Sequence, residues 1–334
     1  MEEIAMEQQS ISVVIPNYNG RKLLEENLPS VIGALHNSNV DYEIIIADDA
    51  SSDNSVQFIS SAYPQIKIIQ SLSNQGFSPT INKGIQESTK DLVFALNSDV
   101  QLTPDYFINQ FKYFKRDDTF GVMGRIIDLE GDRIQDGAKY PTYNWFKFKS
   151  TVNFIPVHQS SDAWIPTVFL SGANALMDRK KLQLLGGFDE IFRPFYLEDV
   201  DLSLRAWRMG WNCYYDHNSI CKHPVSATIK NYHKEKKVRV ISKRNRFIIH
   251  AIHFSGISKL MWTCVMALEF LFSWLTFKPY FYKAFFLYIK KINEVRASKN
   301  KLKSLLNTSN NSKTLHAVMD EVKSRIDHLT IQKF

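Results

Sequence analysis

Four short apolar runs, each followed at once by a cluster of polar or acidic residues, dominate the first hundred residues. They fall at 12–15 (SVVI), 43–47 (EIIIA), 66–70 (IKIIQ) and 92–96 (LVFAL). Between them lie helical patterns: Leu24, Leu28, Val31, Ile32 and Leu35, then a segment near 54–61, then Ile81 and Ile85. Continuous apolar strands alternating with helices predict a mostly parallel sheet covered on both faces. The fold class is therefore α/β. A further helix is expected around Tyr106, Phe107, Phe111 and Phe114, a strand over 169–177, and a helix over 197–209 with Val200, Leu204 and Trp207 on one stripe. Residues 129–165 are rich in aromatics, Gly and Pro without clear periodicity, and read as a long excursion over the site.

Ligands of open parallel sheets bind beyond the carboxyl ends of the strands. The four runs deliver Pro16-Asn17-Tyr18-Asn19, Asp48-Asp49-Ala50-Ser51-Ser52-Asp53, Asn74-Gln75-Gly76-Phe77 and Asn97-Ser98-Asp99 to that edge. Any one of these clusters is also what a turn or a helix cap uses; four at one edge point to a site. The turn after the first strand is PNYNG, and neither GxGxxG nor a P-loop occurs, which argues against a dinucleotide cradle. Asp48, Asp49 and Asp99 would repel a bare diphosphate unless a divalent cation lay between. The pattern suggests a metal-bridged nucleotide site. Asp48 and Asp49 also suit the acidic pocket of a receiver domain, but that reading leaves residues 165–223 without a role.

Charge divides the chain in two. Its 334 residues carry 41 Lys and Arg against 34 Asp and Glu, a net +7, and 44% are hydrophobic, which excludes a disordered or collagen-like chain. Residues 1–223 are net −8, whereas 224–334 are net +15. This asymmetry argues against a uniform nucleic-acid-binding surface and for two roles in one chain. The three cysteines, Cys213, Cys221 and Cys264, lack metal-ligand spacing and point to a reducing compartment. The start, MEEIAMEQQS, is acidic without an apolar core, unlike a secretory signal.

Six segments, in order, resemble the motifs of an inverting glycosyltransferase of family 2 with the GT-A fold. They are VVIPNYNG (13–20), DDASSDNS (48–55), NQGFSPTINKGI (74–85), LNSDV (96–100), LSGANALMDRKKLQLLGGFDE (170–190) and FYLEDVDLSLRAW (195–207). The resemblance covers about residues 11–223 and is nearest to the bacterial rhamnosyltransferase-like branch that builds surface polysaccharides. It implies a donor site in which Asp48 holds the nucleobase, with Pro16 and Asn17 lining the same pocket and Asn19 and Asp49 beside them. Asn74, Gly76 and Asn82 would shape the cradle of a UDP- or dTDP-sugar, with Asn97 and Ser98 next to it. Asp99 and His223 would hold Mn or Mg on the donor diphosphate; Asn97 stands where the family has the first Asp of D-x-D, so Asp99 is the main carboxylate ligand. Chemistry requires a base to deprotonate an acceptor hydroxyl. The residues alone leave Glu198, Asp199 and Asp201 open, since acids also suit a helix start; the family pattern selects Asp199, with Glu198 beside it. Trp164, Gly172 and Asp201 are expected on the acceptor side, with Tyr140, Tyr143, Trp145 and Phe146 as further aromatic candidates.

These readings divide the chain into a GT-A catalytic domain over 1–228 (donor half about 11–100, acceptor half about 101–228), a basic, aromatic-apolar helical region over 229–299, and a polar helical tail over 300–334. The basic segment 234–246 (KEKKVRVISKRNR) adjoins an apolar stretch over 260–277 that holds Trp262, Phe270, Phe272, Trp274 and Phe277. With only 18 residues, Glu269 in the middle and bases on both sides, that stretch suits an anionic membrane surface better than a crossing. The expected location is cytoplasmic, peripheral or shallowly inserted at the inner face of the plasma membrane, near a glycan or lipid-linked glycan acceptor. Arg244 and Arg246 are alternative contacts to the donor diphosphate. Competing functions are a metal-dependent nucleotidyltransferase and a catalytically degenerate sugar-nucleotide-binding protein.

Overall fold

Alternate residues of the first strand, β1 (Ile11–Asn17), enter two different cores: Val14 packs into one, Val13 and Ile15 into the other. A strand buried on both faces must lie inside a sheet with helices above and below. In the computed structural model, which describes residues 9–131, 133–144, 146–149, 152–157, 164–224, 235–273, 275 and 279–334, that is its place. Helix α1 (Arg21–Asn37), β2 (Tyr42–Asp48), α2 (Ser55–Ala62), β3 (Lys67–Gln70), α3 (Phe77–Gln86) and β4 (Leu92–Leu96) follow in the expected alternation. Strands β3, β2, β1 and β4 are neighbours in that order and all parallel. Helix α3 lies so close to β1 that a Cβ on Gly84 would meet Val14 Cγ1 at 2.3 Å, so only glycine fits there.

The residues after 100 extend the same sheet. After the short β5 (Gln101–Leu102), β6 (Thr119–Ile127) runs in the direction of β4. Between β4 and β6 sits the antiparallel β13 (Asn174–Asp178). The excursion over 129–165 contains β7 (Ile134–Asp136), β8 (Ala138–Lys139), β9 (Thr142–Asn144), β10 (Lys147–Lys149), β11 (Asn153–Pro156) and then β12 (Ile165–Pro166). Helices α4 (Arg179–Leu185) and α5 (Glu198–Arg208) precede the long β14 (Asn212–Lys222), which lies parallel to β6. Strands β1, β2, β4, β6 and β14 thus all end at one edge, where β13 begins.

Beyond residue 234 the chain is helical: α6 (Glu235–His253), α7 (Gly256–Phe272), α8 (Pro279–Lys290), α9 (Ile292–Thr308) and α10 (Leu315–Ile326). Helix α9 runs straight across the composition change at residue 300. The tail returns to the body: Arg325 bonds Asn212 at 2.8 Å and lies over the Trp207 ring, and a last strand, β15 (Ile331–Lys333), pairs with β11. Trp145, Trp274, Phe277 and residues 229–234, which the sequence singles out, lie outside the described residues.

Three local expectations are corrected. The helix around Tyr106–Phe114 is a series of turns ending in a single 3₁₀ segment, Phe111–Lys115. Tyr106 and Phe107 are adjacent yet both fully buried and both pack on Phe94, Phe107 edgewise and Tyr106 tilted, whereas neighbours in a helix do not share a face. The strand expected from 169 starts only at Asn174, because residues 171–174 turn, with Asn174 N–H donating to Ser171 C=O at 3.3 Å. The apolar helix begins at Gly256 and ends at Phe272 rather than spanning 260–277.

Candidate active site at the strand ends

The donor end of the site is organised by Asp48, at the last position of β2 and 2% exposed. One of its oxygens accepts from Asn17 Nδ2 at 2.8 Å and the other from the Ser51 backbone N–H at 2.9 Å. Asn17 Nδ2 also reaches Ser51 Oγ at 3.1 Å, while Asn17 Oδ1 is buried with no hydrogen-bond partner among the described residues. Gly20 keeps that oxygen clear, since a Cβ there would sit 2.4 Å from it. Pro16 is half-buried in β1 beside them. Asn19 adopts φ 50° and accepts from the Ser52 N–H at 2.7 Å, which locks the first loop to the second.

Asp49 does something different from its neighbour. Its two oxygens accept from the backbone N–H groups of Gln75 and Gly76 at 2.8–3.1 Å, so it shapes the loop before α3. Gly76 has φ +89° and lies against Pro194, with Phe77 N–H donating to Pro194 C=O at 3.2 Å. Asn74 beside it is exposed. Asn82 holds the Phe188 backbone from both sides, at 2.8 and 2.9 Å. Donor-side and acceptor-side loops are in this way tied together.

At the end of β4, Asn97 N–H donates to Ala173 C=O at 3.1 Å, Ser98 C=O accepts from Asn27 Nδ2 at 3.0 Å, and Asp99 turns inward, 5% exposed. Asp99 Oδ1 lies 3.3 Å from His223 Nε2. His223 follows β14 directly and is strapped by its backbone: its N–H donates to Ile127 C=O at 3.0 Å and its C=O accepts from Gln135 Nε2 at 2.8 Å. A carboxylate and an imidazole brought together from two strand ends are a fitting donor pair for Mn²⁺ or Mg²⁺. Among the described residues, no group of three or more His, Cys, Asp and Glu could hold a metal ion alone. Two protein ligands leave room for oxygens of a bound molecule.

Helix α5 brings the acids. Asp199 Oδ1 accepts from the Val200 N–H at 2.8 Å, and Oδ2 accepts from the Gly172 N–H at 3.4 Å, in the turn before β13. That contact sets Asp199 at the strand-end edge. Desolvation raises its pKa above the ordinary carboxylate value, and an ion pair missed by sequence reasoning, Asp136–Lys139, acts on it electrostatically. Glu198 is buried, with Oε2 unpartnered among the described residues, and desolvation followed by the Asp199 charge raises its pKa well above the usual value. The helix is entered through Tyr196 and Leu197, both at positive φ (76° and 72°), a strained turn of the kind found at functional sites.

Three residues expected at the site are placed elsewhere. Asp201 is fully buried; Arg205 Nε donates to one oxygen at 2.7 Å and His253 Nε2 pairs with the other at 2.9 Å, so it serves the scaffold and presents nothing to an acceptor. Trp164 packs on Tyr113 and Tyr214, ring centroids 4.9 and 5.2 Å away, with Arg116 above it. Tyr214 is near the start of β14, roughly 25 Å of strand from the edge at its end, so Trp164 lies toward the opposite edge. Arg244 is buried in α6 and donates to the carbonyls of Phe192 and Arg193. Its neighbour Asn245, which nothing in the sequence pattern flags, donates to Phe192, Phe195 and Tyr196 carbonyls at 2.8–2.9 Å. Together they hold the loop that leads into α5.

A parallel sheet whose strand ends carry Asp48, Asp99, His223 and a helix-borne acid pair, interrupted by one antiparallel strand, is the GT-A glycosyltransferase fold. The chain belongs to glycosyl transferase family 2, whose family model matches residues 12–185, just over half of its length. It is 25% identical over 215 residues to the N-acetylglucosaminyl-diphospho-decaprenol L-rhamnosyltransferase of Mycobacterium tuberculosis, 55% of this chain and 67% of that one. It is 29% identical over 133 residues to the dolichol-phosphate mannosyltransferase of Pyrococcus furiosus, where it spans only 36% of the relative and 39% of itself. Its fold matches the mannosyltransferase PcManGT from Pyrobaculum calidifontis in complex with GDP-Man and Mn²⁺, with a TM-score of 0.54 at 14% identity, covering 90% of this chain and 86% of that one.

Proposed function

We propose that this chain transfers a sugar from a nucleotide diphosphate-sugar, a UDP- or dTDP-sugar, to a hydroxyl of a growing lipid-linked surface glycan, with inversion. The observation that carries the reading is the convergence of Asn17–Asp48, Asp99–His223 and Asp199 on one sheet edge. Asn17 Oδ1, buried and unpartnered among the described residues, and the Asp48 carboxylate offer acceptors to the N–H of a nucleobase. Asp99 and His223 would hold Mn²⁺ or Mg²⁺, which when bound would neutralise charge growing on the leaving diphosphate. Asp199, its pKa raised by desolvation, takes the proton from the acceptor hydroxyl as that oxygen attacks the anomeric carbon and the nucleoside diphosphate departs. Asn17, Asp48 and Gly76 orient the donor, and Glu198 lies buried beside the base, its pKa raised by desolvation and by the Asp199 charge. A single displacement of this kind inverts the anomeric centre. Turnover of a nucleotide-sugar panel with Mn²⁺, read by nuclear magnetic resonance of the anomeric product, tests this; no turnover of any donor, or retention of configuration, counts against it.

The division of labour follows the same reading. Residues 1–228 form the catalytic domain, 229–299 the membrane-associating region and 300–334 a tail folded back on the body. No described helix is long and apolar enough to cross a membrane. Yet Ile257, Leu260, Leu268, Leu271 and Phe272 of α7 and Phe286 and Ile289 of α8 are exposed, and Lys259, Lys283, Lys290 and Lys291 flank them. An apolar face edged by lysines suits shallow insertion into an anionic leaflet. The location read from this is peripheral, at the cytoplasmic face of the plasma membrane. Co-sedimentation with phosphatidylglycerol vesicles at low salt is expected, and no binding there would remove the membrane part of the proposal.

A further inference from the structure

A cavity of about 330 Å³ opens between the β9–β10 hairpin and helices α6 and α7, and Leu197, at the entry to α5, lines it. Its walls are apolar, built by Phe148, Leu197, Phe247, Trp262 and Met266. The floor is held neutral: His250 receives the Phe148 N–H on Nε2 at 3.1 Å, is bonded through Nδ1 to the Arg246 carbonyl, and stacks on Trp262 with ring planes 6° apart. The rim has the opposite character. Lys147, Lys149 and Arg246 are exposed there, and the one acid, Glu269, is already paired with Lys243 at 3.0 Å. Among the described residues these three cations have no acidic partner, and they stand at the mouth of an apolar hole of ligand-binding size.

The position of this cavity is as informative as its lining. Leu197 is both a wall of the cavity and the residue immediately before Glu198 and Asp199, and it is held there in a strained left-handed conformation. A molecule seated in the cavity touches the turn that carries the base. The exposed apolar face of α7 continues from the same helix that supplies Trp262, Val265 and Met266. The exposed apolar side chains of α7 lead toward the cavity, whose mouth carries the Lys243–Glu269 pair and the basic side chains.

We infer that this cavity is the seat of the lipid-linked acceptor: the hydrocarbon enters between α6, α7 and the β9–β10 hairpin, and its phosphate or diphosphate head pairs with Lys147, Lys149 and Arg246 at the rim. The inference rests on the glycosyltransferase reading and adds to it the class of acceptor, a prenyl-type diphosphate, and the place that holds it. Apolar walls alone would take a detergent and a basic rim alone would take free phosphate; the two together select an anionic amphiphile. The aromatic-basic hairpin over 142–149, which the donor chemistry does not use, thereby acquires a role.

The test is isothermal titration of the full chain with farnesyl diphosphate, farnesol and inorganic diphosphate as separate probes. The expected result is one farnesyl diphosphate per chain, bound at least about ten-fold more tightly than either farnesol or inorganic diphosphate. Val265→Trp, which fills the cavity, abolishes that binding. Charge reversal at the exposed rim, Arg246→Glu with Lys149→Glu, lowers the affinity for farnesyl diphosphate about ten-fold and leaves farnesol unchanged. Should Val265→Trp fail to fold, the rim variant, which alters only exposed side chains, carries the test. Equal affinity for inorganic diphosphate would assign the binding to the nucleotide site and overturn the proposal, as would binding that neither variant alters. Donor turnover by the unmodified protein is scored separately. Its absence removes the glycosyltransferase reading, whereas loss of selective prenyl binding with donor turnover intact removes only the cavity.

Discussion

Replacing Asp201 by Asn separates a scaffold carboxylate from a substrate-binding one. Asp201 lies in the first turn of α5 with no exposure, one oxygen 2.7 Å from Arg205 Nε and the other 2.9 Å from His253 Nε2. Arg205 also donates to the carbonyls of Leu185 and Gly187 at 2.9 Å, so it cannot swing out to water when its partner is lost. Removing one member of such a buried pair leaves an uncompensated charge and costs about 3–5 kcal/mol. Asparagine keeps the volume and one acceptor, which places the expected loss near the lower end, about 3 kcal/mol. At about 2.1 cal/mol/K of unfolding entropy per residue, a chain of 334 residues then loses roughly 4 °C of Tm. The pH dependence gives a second signature. The Asp201 pKa is lowered below 3.8: burial alone would raise it, but the Arg205 charge and the His253 bond outweigh that. The unfolded chain then binds its proton first as pH falls, so the stabilisation is complete above about pH 4 and is lost as pH drops through the lower folded value. Thermal melts at neutral pH and below pH 4 read both effects: a large gap between wild type and Asp201→Asn at pH 7, narrowing in acid. An unchanged Tm at pH 7 together with a rise in acceptor KM would refute this and return Asp201 to the acceptor site.

Other consequences are equally direct. The acid limb of kcat/KM for donor turnover is displaced above the ordinary aspartate value of 3.8, because the base must be ionised and burial raises the Asp199 pKa; a limb centred at or below that value would contradict the assignment. Asn245→Ala removes the donor to the Phe195 and Tyr196 carbonyls, leaves Phe192 only its longer bond from Arg244, and is expected to cost roughly 1–3 kcal/mol. It also lowers kcat by loosening the 196–197 turn, which melts and limited proteolysis across residues 192–197 would detect. His223→Ala weakens Mn²⁺ binding, read by the metal concentration needed for half-maximal donor turnover; no change in that concentration would exclude His223 as a ligand.

The first hundred residues were legible because the inner strands β1 and β4 are buried on both faces and the strands end in polar clusters. A continuous run such as LVFAL is hard to accommodate as anything but a central strand, and β4 covers those same residues. The excursion over 129–165 was not legible, since strands of two to four residues carry no period to read. Composition misled where it was taken for structure. The polar tail beyond residue 300 reads as an appendage, yet α9 crosses that boundary and β15 completes a sheet with β11. Within the site, Asp99 and His223 are 124 positions apart and were paired only through family resemblance; β4 and β14 bring them to 3.3 Å. The roles of Asp49 and Asp201 could not be read from type and spacing, because an acid that caps a loop or neutralises a buried arginine is written in sequence like one that binds a ligand. Asn245 gave no signal at all, its function being three carbonyls some fifty residues away.

The account turns on Asp199 as the base, and one paired measurement tests it. Asp199→Asn keeps the Gly172 contact and the helix start but cannot accept a proton. Donor consumption and calorimetric binding of UDP or dTDP are measured for this variant beside the wild type. The account predicts turnover lower by about 10²-fold or more with nucleotide affinity nearly unchanged. Turnover close to wild type, or loss of nucleotide binding in parallel with turnover, would contradict it.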